Sequence, residues 1–441
     1  MVRAFGTAGV RGVFNQTQSP EQVYHLAQTV AFAFGKGCYG VGWDGRKTSA
    51  LLSRTVMSAV NTVGSDVMVF GSVPTPVLAF GTKSKACRAG FSVTASHNPA
   101  EFSGVKIFDE QGMELSKQNE ERVERALGIG VMKSSGNFGN TLDGDQITRE
   151  YIDALVARFD RVSTPLNIAV DCANGPGGSV TPEVLRSLGH RVVSVNAQQS
   201  WRFPAHPPEP TSMNIADFAK MVPGLGVDFA FAHDGDADRL VMVDRNGMVI
   251  PDSFVTILAL RSLNPSGGIV VISENSSNAV AEEAERMGCR VLRSRIGKTF
   301  ALLESERGVF ACEPSKIVDP RWGLWEDGIN AATLITSFLS REPDTLNQIG
   351  EEIQWRYKQV NFSLAIRMPV LVEKAKEIFR RVRVSHERSL DGYKLVLHDG
   401  SWVMFRPSGT EPKVRLYCES KDPQVLELLV QLGTQSIESS L

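Results

Sequence analysis

The chain has 441 residues, 42% of them hydrophobic and 22% charged, with Lys plus Arg (47) nearly matching Asp plus Glu (49) for a formal net charge of -2. That length exceeds what one hydrophobic core serves and implies about three or four domains. The balance of charge excludes a global pull toward nucleic acid or anionic lipid, so any anion must be held by a local cluster, and no stretch approaches the ~18 uninterrupted apolar residues of a membrane span.

In chain order, the opening MVRAFGTAGVRG lacks the apolar core and cleavage site of a secretory signal. Three stretches then repeat one pattern of apolar run, Gly/Asp/Asn loop, amphipathic helix, glycine and second apolar run. In the first, a strand ending near Gly42 meets the loop WDGRK, a helix runs to about Val63, and Gly64 precedes Asp66 to Phe70. The second reads NIAVD, CANGPGG, a helix to Leu188, Gly189 and RVVSV; the third reads GGIVVIS, ENSSN, a helix through Met287, Gly288 and CRVL. Between the second and third lies FPAHPPEP (Phe203 to Pro210), too rich in proline for a helix interior and expected as an exposed, ordered connection. The last part changes character: a long helix around Leu371 to Val384, the alternating strands YKLVLHDG, SWVMF and VRLYCES, and a closing helix. The expected fold is therefore α/β, with three similar mixed α/β domains (1–150, 151–252 and 253–360) and a smaller C-terminal α+β domain (361–441). In such sheets, ligands bind at the loops following the carboxyl ends of strands. Six cysteines, Cys38, Cys87, Cys172, Cys289, Cys312 and Cys418, stand singly, as free thiols do in a reducing cytoplasm.

Four of the loops carry chemistry. Val93-Thr94-Ala95-Ser96-His97-Asn98-Pro99 follows the apolar run AGFSV, so Ser96 sits in a turn after a strand. Turn chemistry alone explains a serine there; His97 beside it offers proton transfer and Lys106 a cation. Asp234-Gly235-Asp236-Ala237-Asp238-Arg239 follows VDFAFAH. Three carboxylates at alternate positions repel unless a cation lies among them, and oxygen-only ligands favour magnesium, manganese or calcium over zinc. An EF-hand is excluded because Arg239 stands where its glycine belongs and Arg245 where its glutamate belongs. Arg406-Pro407-Ser408-Gly409-Thr410-Glu411-Pro412-Lys413, with Arg415 beyond, is either a charged β-turn or a donor-rich concavity suited to phosphate. Cys312-Glu313-Pro314-Ser315-Lys316 reads as an ordinary loop or as a pair of groups that hold neighbouring sugar hydroxyls.

With these loops in order, the chain resembles the α-D-phosphohexomutase family over almost its full length. FGTAGVRG (Phe5 to Gly12), GWDGRKTS, VPTPVLAF, TASHNP, SGVKIF, FPAHPPEP, DGDADR and RPSGTEP carry the resemblance. It implies four domains around a central cleft and a phosphoprotein isomerase of carbohydrate metabolism. Ser96 would carry the phosphoryl group and, with Asp234, Asp236 and Asp238, hold one Mg2+ per chain. Arg11, Lys106 and Arg239 would neutralise charge, and His97, Lys106 and Lys316 are candidates for general acid and base. Glu313 and Ser315 would read the sugar, and Arg406, Ser408, Gly409 and Thr410, with Arg415 nearby, would grip the phosphate that is not reacting. A hexose phosphate is the implied partner, a sugar bisphosphate the intermediate and activator, and monomer and homodimer both fit.

Several positions depart from the family pattern: Ala8 for a serine, Trp43 for an arginine, Ser103 for an asparagine, Gly297-Lys298 for a glycine-aspartate pair, and Lys316 near the usual histidine of the sugar loop. The EPS loop and WEDGI (Trp325 to Ile329) look like archaeal members, among which phosphoglucosamine mutases are frequent. Phosphoglucosamine mutase is the expected activity; the alternatives are a phosphoglucomutase/phosphomannomutase, a phosphopentomutase, a phosphatase, or a sugar-phosphate-binding regulatory protein without catalysis.

Overall fold

The computed structural model describes residues 5–6, 9–127, 136–162, 164–407 and 413–441. The chain forms two compact units, one of residues 1–264 and 315–344 and one of residues 265–314 and 345–441.

The first unit contains two sheets. One has six strands in the order Val10–Val13, Phe102–Asp109, Ala89–Val93, Cys38–Trp43, Asp66–Ser72 and Thr141–Asp143. Its last four strands are parallel, whereas Phe102–Asp109 runs antiparallel to Ala89–Val93 and places Lys106 opposite Ser92. Val10–Val13 adds at the edge, with Arg11 opposite Gly104. Ser19 starts the helix Pro20–Phe34 with a capping box to Gln22. That helix and Lys47–Thr62 bury one face of the sheet through Val23, Val30, Leu52, Val56 and Val60, against Val41, Phe91 and Val93. On the other face, Phe70, Val77 and Leu78 join Ile147, Tyr151, Val184, Trp325 and Ile329 in a core shared with the following segment. The second sheet orders Val249–Ile250, Leu240–Asp244, Phe229–His233, Asn167–Asp171 and Arg191–Val195, parallel over the last three.

Asp327 ties the helix Gly328–Leu339 into this unit. Its carboxylate accepts from the amides of Ile329 and Asn330 as an N-cap, from the Tyr151 hydroxyl at 2.9 and 2.8 Å, and from the indole N–H groups of Trp322 and Trp325.

In the second unit, Ile269–Ser273 pairs in parallel with Arg290–Ser294 and Phe310–Glu313, with the helices Asn278–Arg286 and Thr299–Ser305 alongside. A five-stranded antiparallel sheet follows, in the order Arg356–Phe362, Val414–Ser420, Trp402–Pro407, Tyr393–Leu397 and Val384–Arg388. The helices Met368–Ile378 and Pro423–Glu438 pack against this sheet. The long helix expected to reach Val384 ends sooner: Met368–Ile378 passes into one 3₁₀ turn at Phe379–Arg381, and Val384 opens a strand. The alternation of Val382, Val384 and the polar residues between them has the period of a strand and overrides the helical run before it. Among the described residues, no helix is long and apolar enough to cross a membrane, and all six cysteines are free thiols.

Asp327→Ala should strand two indole donors, a buried phenol and two helix amides, and lower stability by ~3 kcal/mol. A urea midpoint unchanged from the parent would show that this carboxylate is dispensable.

Candidate active site

The loop after Ala89–Val93 is held from beneath by one arginine. Asp44 and Arg46 follow the strand Cys38–Trp43, and both are buried. Arg46 donates from Nε to Asp44 Oδ2 at 3.0 Å, from Nη2 to the carbonyls of Ser96 and Asn98 at 2.7 and 2.5 Å, and from Nη1 to those of Pro99 and Phe102 at 2.5 and 3.2 Å. Asp44 also accepts from Thr94 Oγ1 at 2.6 Å, and Thr94 Oγ1 in turn accepts from the Ser96 amide at 2.8 Å. Ser96 is thereby held at φ 50°, in the left-handed region that a serine rarely occupies.

The aspartate loop joins Phe229–His233 to Leu240–Asp244 within the same unit. Ser96 Oγ donates to Asp234 Oδ2 at 2.8 Å. Lys106 Nζ reaches Asp236 Oδ2 at 2.7 Å and Asp238 Oδ2 at 2.6 Å, and Lys316 Nζ approaches Asp238 Oδ2 at 3.5 Å while also pairing with Glu326. Arg239 donates to Glu209 Oε1 at 3.2 Å and to His97 Nδ1 at 3.0 Å. An arginine donates only, so Nδ1 of His97 is the acceptor and its ring proton sits on Nε2; the same Nδ1 lies 3.3 Å from Ser96 Oγ. Arg11 Nη1 donates to Asn98 Oδ1 at 3.1 Å. Arg11, Ser96, His97, Lys106, Asp234, Asp236, Asp238, Arg239 and Lys316 thus form one connected cluster.

Burial makes its electrostatics severe: Ser96, Lys106, Asp234 and Asp238 are each 1% exposed and Asp236 is fully buried. Desolvation, together with Asp238 and Asp236, raises the Asp234 carboxyl well above the ordinary carboxylate range. Burial is the strongest single influence on Asp236 and Asp238 too, but the charge and hydrogen bond of Lys106, joined by Thr75 at Asp236 and by Lys316 and Arg239 at Asp238, together exceed it; both carboxyls lie below their ordinary values. Desolvation works against the Lys106 ammonium, yet its two carboxylates hold it above the ordinary lysine value. His97 is driven well below the usual imidazole range by burial and by Arg239, Arg11 and Lys316. The ring is neutral at neutral pH.

The donor set suits a hard divalent ion. Ligand oxygens of the three aspartates lie within 4.8 Å of one another, and Asp236 Oδ1 and Asp238 Oδ1 are buried without a hydrogen-bond partner among the described residues. Buried carboxylate oxygens left in this way are costly unless a cation takes them.

Several contributors lie in segments to which the sequence assigned no role at the site. Thr75, from VPTPVLAF, donates to Asp236 Oδ2 at 2.6 Å, and its amide donates to the Asp236 carbonyl. The FPAHPPEP segment, expected as an exposed connection, is instead partly buried and grips the aspartate loop. Phe203 lies under the Arg46 guanidinium, the Pro208 carbonyl accepts from the Gly235 amide, Glu209 holds Arg239, and His206 Nε2 meets Asp171 Oδ2 at 3.1 Å. Proline cannot donate from its backbone, but its carbonyl accepts freely. Gly235 is where the two loops touch: a Cβ there would lie 2.6 Å from the Ser96 carbonyl oxygen.

Ser315 has a positive φ of 63°, and its carbonyl accepts from the Leu240 amide. In the second unit, Glu313 Oε1 accepts from the Gly297 amide at 2.6 Å and from Thr299 Oγ1 at 3.1 Å. Arg406 stands opposite Arg415 on neighbouring strands, and its Nε donates to Asp391 at 2.9 Å. Ser408, Gly409 and Thr410, like Ala8, lie outside the described residues.

Family models of phosphoglucomutase/phosphomannomutase match the chain in order: alpha/beta/alpha domain I at residues 2–128, domain II at 149–247, domain III at 251–357 and the C-terminal domain at 367–431. Among curated proteins, the chain is 34% identical to a phosphopentomutase of Thermococcus kodakarensis, over 99% of this chain and 98% of that one. It is 32% identical to a phosphoglucomutase/phosphomannomutase of the same organism, with both chains fully covered. It is 30% identical to a protein named "Probable phosphoglucosamine mutase" from Methanosphaera stadtmanae, over 99% and 98% of the two chains. Among solved structures, a phosphoglucomutase/phosphomannomutase family protein of Burkholderia thailandensis shares the fold, with a TM-score of 0.86 at 22% identity over 99% and 97% of the two chains.

Arg46→Lys keeps the charge but loses the planar fork that reaches four carbonyls. Amide exchange across residues 96–102 should then speed by about tenfold or more while the strand Asp66–Ser72 stays protected. Unchanged protection would mean that the loop holds its shape without the fork.

Proposed function

Because this chain belongs to the phosphoglucomutase/phosphomannomutase family of phosphosugar mutases, we propose that it interconverts two monophosphates of one sugar through phospho-Ser96 and a bisphosphorylated intermediate. The observation that carries this reading is the 2.8 Å contact of Ser96 Oγ with Asp234 inside a buried set of three carboxylates. A bland turn serine needs no such surroundings. In the first step the bond from phosphorus to Ser96 oxygen breaks as a bond forms to the free sugar hydroxyl, whose proton passes to a base. In the second, Ser96 takes back the other phosphoryl and the proton returns to the sugar oxygen it leaves. The same bisphosphate serves as activator by phosphorylating Ser96.

Asp234, Asp236 and Asp238, with an oxygen on Ser96, would hold one magnesium ion, which when bound neutralises charge on the transferring group. Arg11, Lys106 and Arg239 add fixed positive charge where a loose phosphoryl transition state spreads its negative charge. Lys106, held protonated between two carboxylates, fits this electrostatic role better than that of a base; His97 and Lys316 remain the candidates for proton transfer. Glu313 and Ser315 would read the sugar hydroxyls, and Arg406, Ser408, Gly409, Thr410 and Arg415 would hold the phosphate that is not reacting. All the reacting groups come from one chain, so a monomer or a homodimer serves equally.

Our reading of the substrate pair is glucosamine 6-phosphate and glucosamine 1-phosphate, supported by the EPS form of the sugar loop and by relatives carrying that name. A pentose phosphate is the second reading, favoured by the 34% identical phosphopentomutase. Turnover measured side by side on glucosamine, glucose, mannose and ribose phosphates decides between them. Purified protein should carry one phosphate on Ser96 by mass spectrometry, and Ser96→Ala should abolish turnover while keeping the fold. Undiminished turnover, or phosphate release without isomerisation, would end the mutase reading.

The carboxyls also set a pH dependence. Asp236 and Asp238 are already ionised at neutral pH, but Asp234 keeps its proton to well above the ordinary range, and magnesium must displace that proton. Affinity for magnesium should therefore rise with pH through the raised Asp234 pKa and level off above it. Calorimetry in buffers of different ionisation enthalpy reads the proton released. Asp234→Asn should lose both most of the affinity and its slope, and a flat pH profile in the parent would contradict the assignment.

A further inference from the structure

Apart from the residues assigned to phosphoryl transfer, the first unit holds a recess of about 650 Å³, within the size range of small-molecule sites. Four arginines line it, Arg158, Arg161, Arg321 and Arg341, against a single carboxylate, Asp160. None of them belongs to the serine or aspartate loops.

These arginines are not equivalent. Arg158 is part of the framework: it donates to Asp319 Oδ2 at 2.5 Å and to Asn330 Oδ1 at 2.7 Å, and it lies over the Trp322 ring. Arg321 sits 3.5 Å from the other oxygen of Asp319. Arg161 and Arg341 are exposed and make no side-chain hydrogen bond or ion pair among the described residues. Two guanidinium groups at one recess, neither held in an ion pair among the described residues, favour an anion, and their planar forks match phosphate oxygens two at a time.

The rest of the lining argues for more than a bare phosphate. Phe159 and Leu334 give the recess an apolar wall. We propose that this recess binds a small organic polyanion of the nucleoside diphosphate class, with its phosphates on Arg161 and Arg341 and its uncharged body along Phe159 and Leu334. The site stands independently of what Ser96 does.

Isothermal titration of ADP into the full chain tests this. ADP should bind, and the double variant Arg161→Ala with Arg341→Ala should weaken it by about tenfold or more. Arg406→Ala, on the second unit, should leave ADP affinity within about twofold, which separates this recess from the phosphate grip assigned above. Inorganic pyrophosphate should bind at least about tenfold more weakly than ADP, since it leaves the apolar wall unused. Arg161→Lys with Arg341→Lys keeps both charges but loses the planar forks and should weaken ADP severalfold, an independent reading should the alanine pair fail to fold. Absence of ADP binding, ADP affinity unaffected by the double variant, or pyrophosphate binding as tight as that of ADP would each overturn the proposal.

Discussion

Three carboxylates lie within one short loop and almost no water reaches them; the rest of the first unit is arranged around that constraint. Like charges at this distance and burial cannot coexist unless positive charge is brought to them from several directions. Lys106 comes from a strand of the first sheet, Lys316 from the segment that returns to this unit, and Arg239 from the loop itself. Even so, the balance is incomplete. The Asp234 carboxyl is pushed well above its ordinary range, and two carboxylate oxygens stay without partners among the described residues. A cluster of this kind suits a divalent cation.

The serine side is built on a different principle. One guanidinium ties the Ser96 loop together by donating to four of its carbonyls, that of the buried Ser96 among them. Arg46 is itself charge-neutralised by Asp44, and Asp44 is positioned by Thr94 and Ser49. The unfavourable backbone angle at Ser96 is thus sustained by a hydrogen-bond network that reaches it from two strands. The FPAHPPEP segment closes the arrangement by touching both systems, with Phe203 against Arg46 and Pro208 and Glu209 against the aspartate loop.

Much of this was legible in the sequence because it follows periodicity or charge repulsion. The strand-loop-helix units gave their strands almost to the residue, as at Asn167–Asp171 and Arg191–Val195, and the spacing of Asp234, Asp236 and Asp238 marked the carboxylate cluster that the fold buries. What stayed hidden depends on contacts between distant segments that leave no local pattern. Arg46 reads as one more charged residue in a Gly/Asp loop because its partners are backbone carbonyls about fifty positions away. The burial of FPAHPPEP was invisible because a proline run looks alike whether it faces water or another loop. The early end of the helix at Ile378 was masked because the strand alternation of Val382 and Val384 is short and follows directly on a helical run.

The contact at Gly235 has a consequence for how the centre tolerates change. Since the main chains of the two loops meet there, with Ser96 O as the opposing atom, the spacing of the two backbones is set by the chain trace and leaves no room for a side chain between them. That closeness concentrates fragility at one position, where any residue larger than hydrogen acts as a wedge between two otherwise intact halves of the machinery.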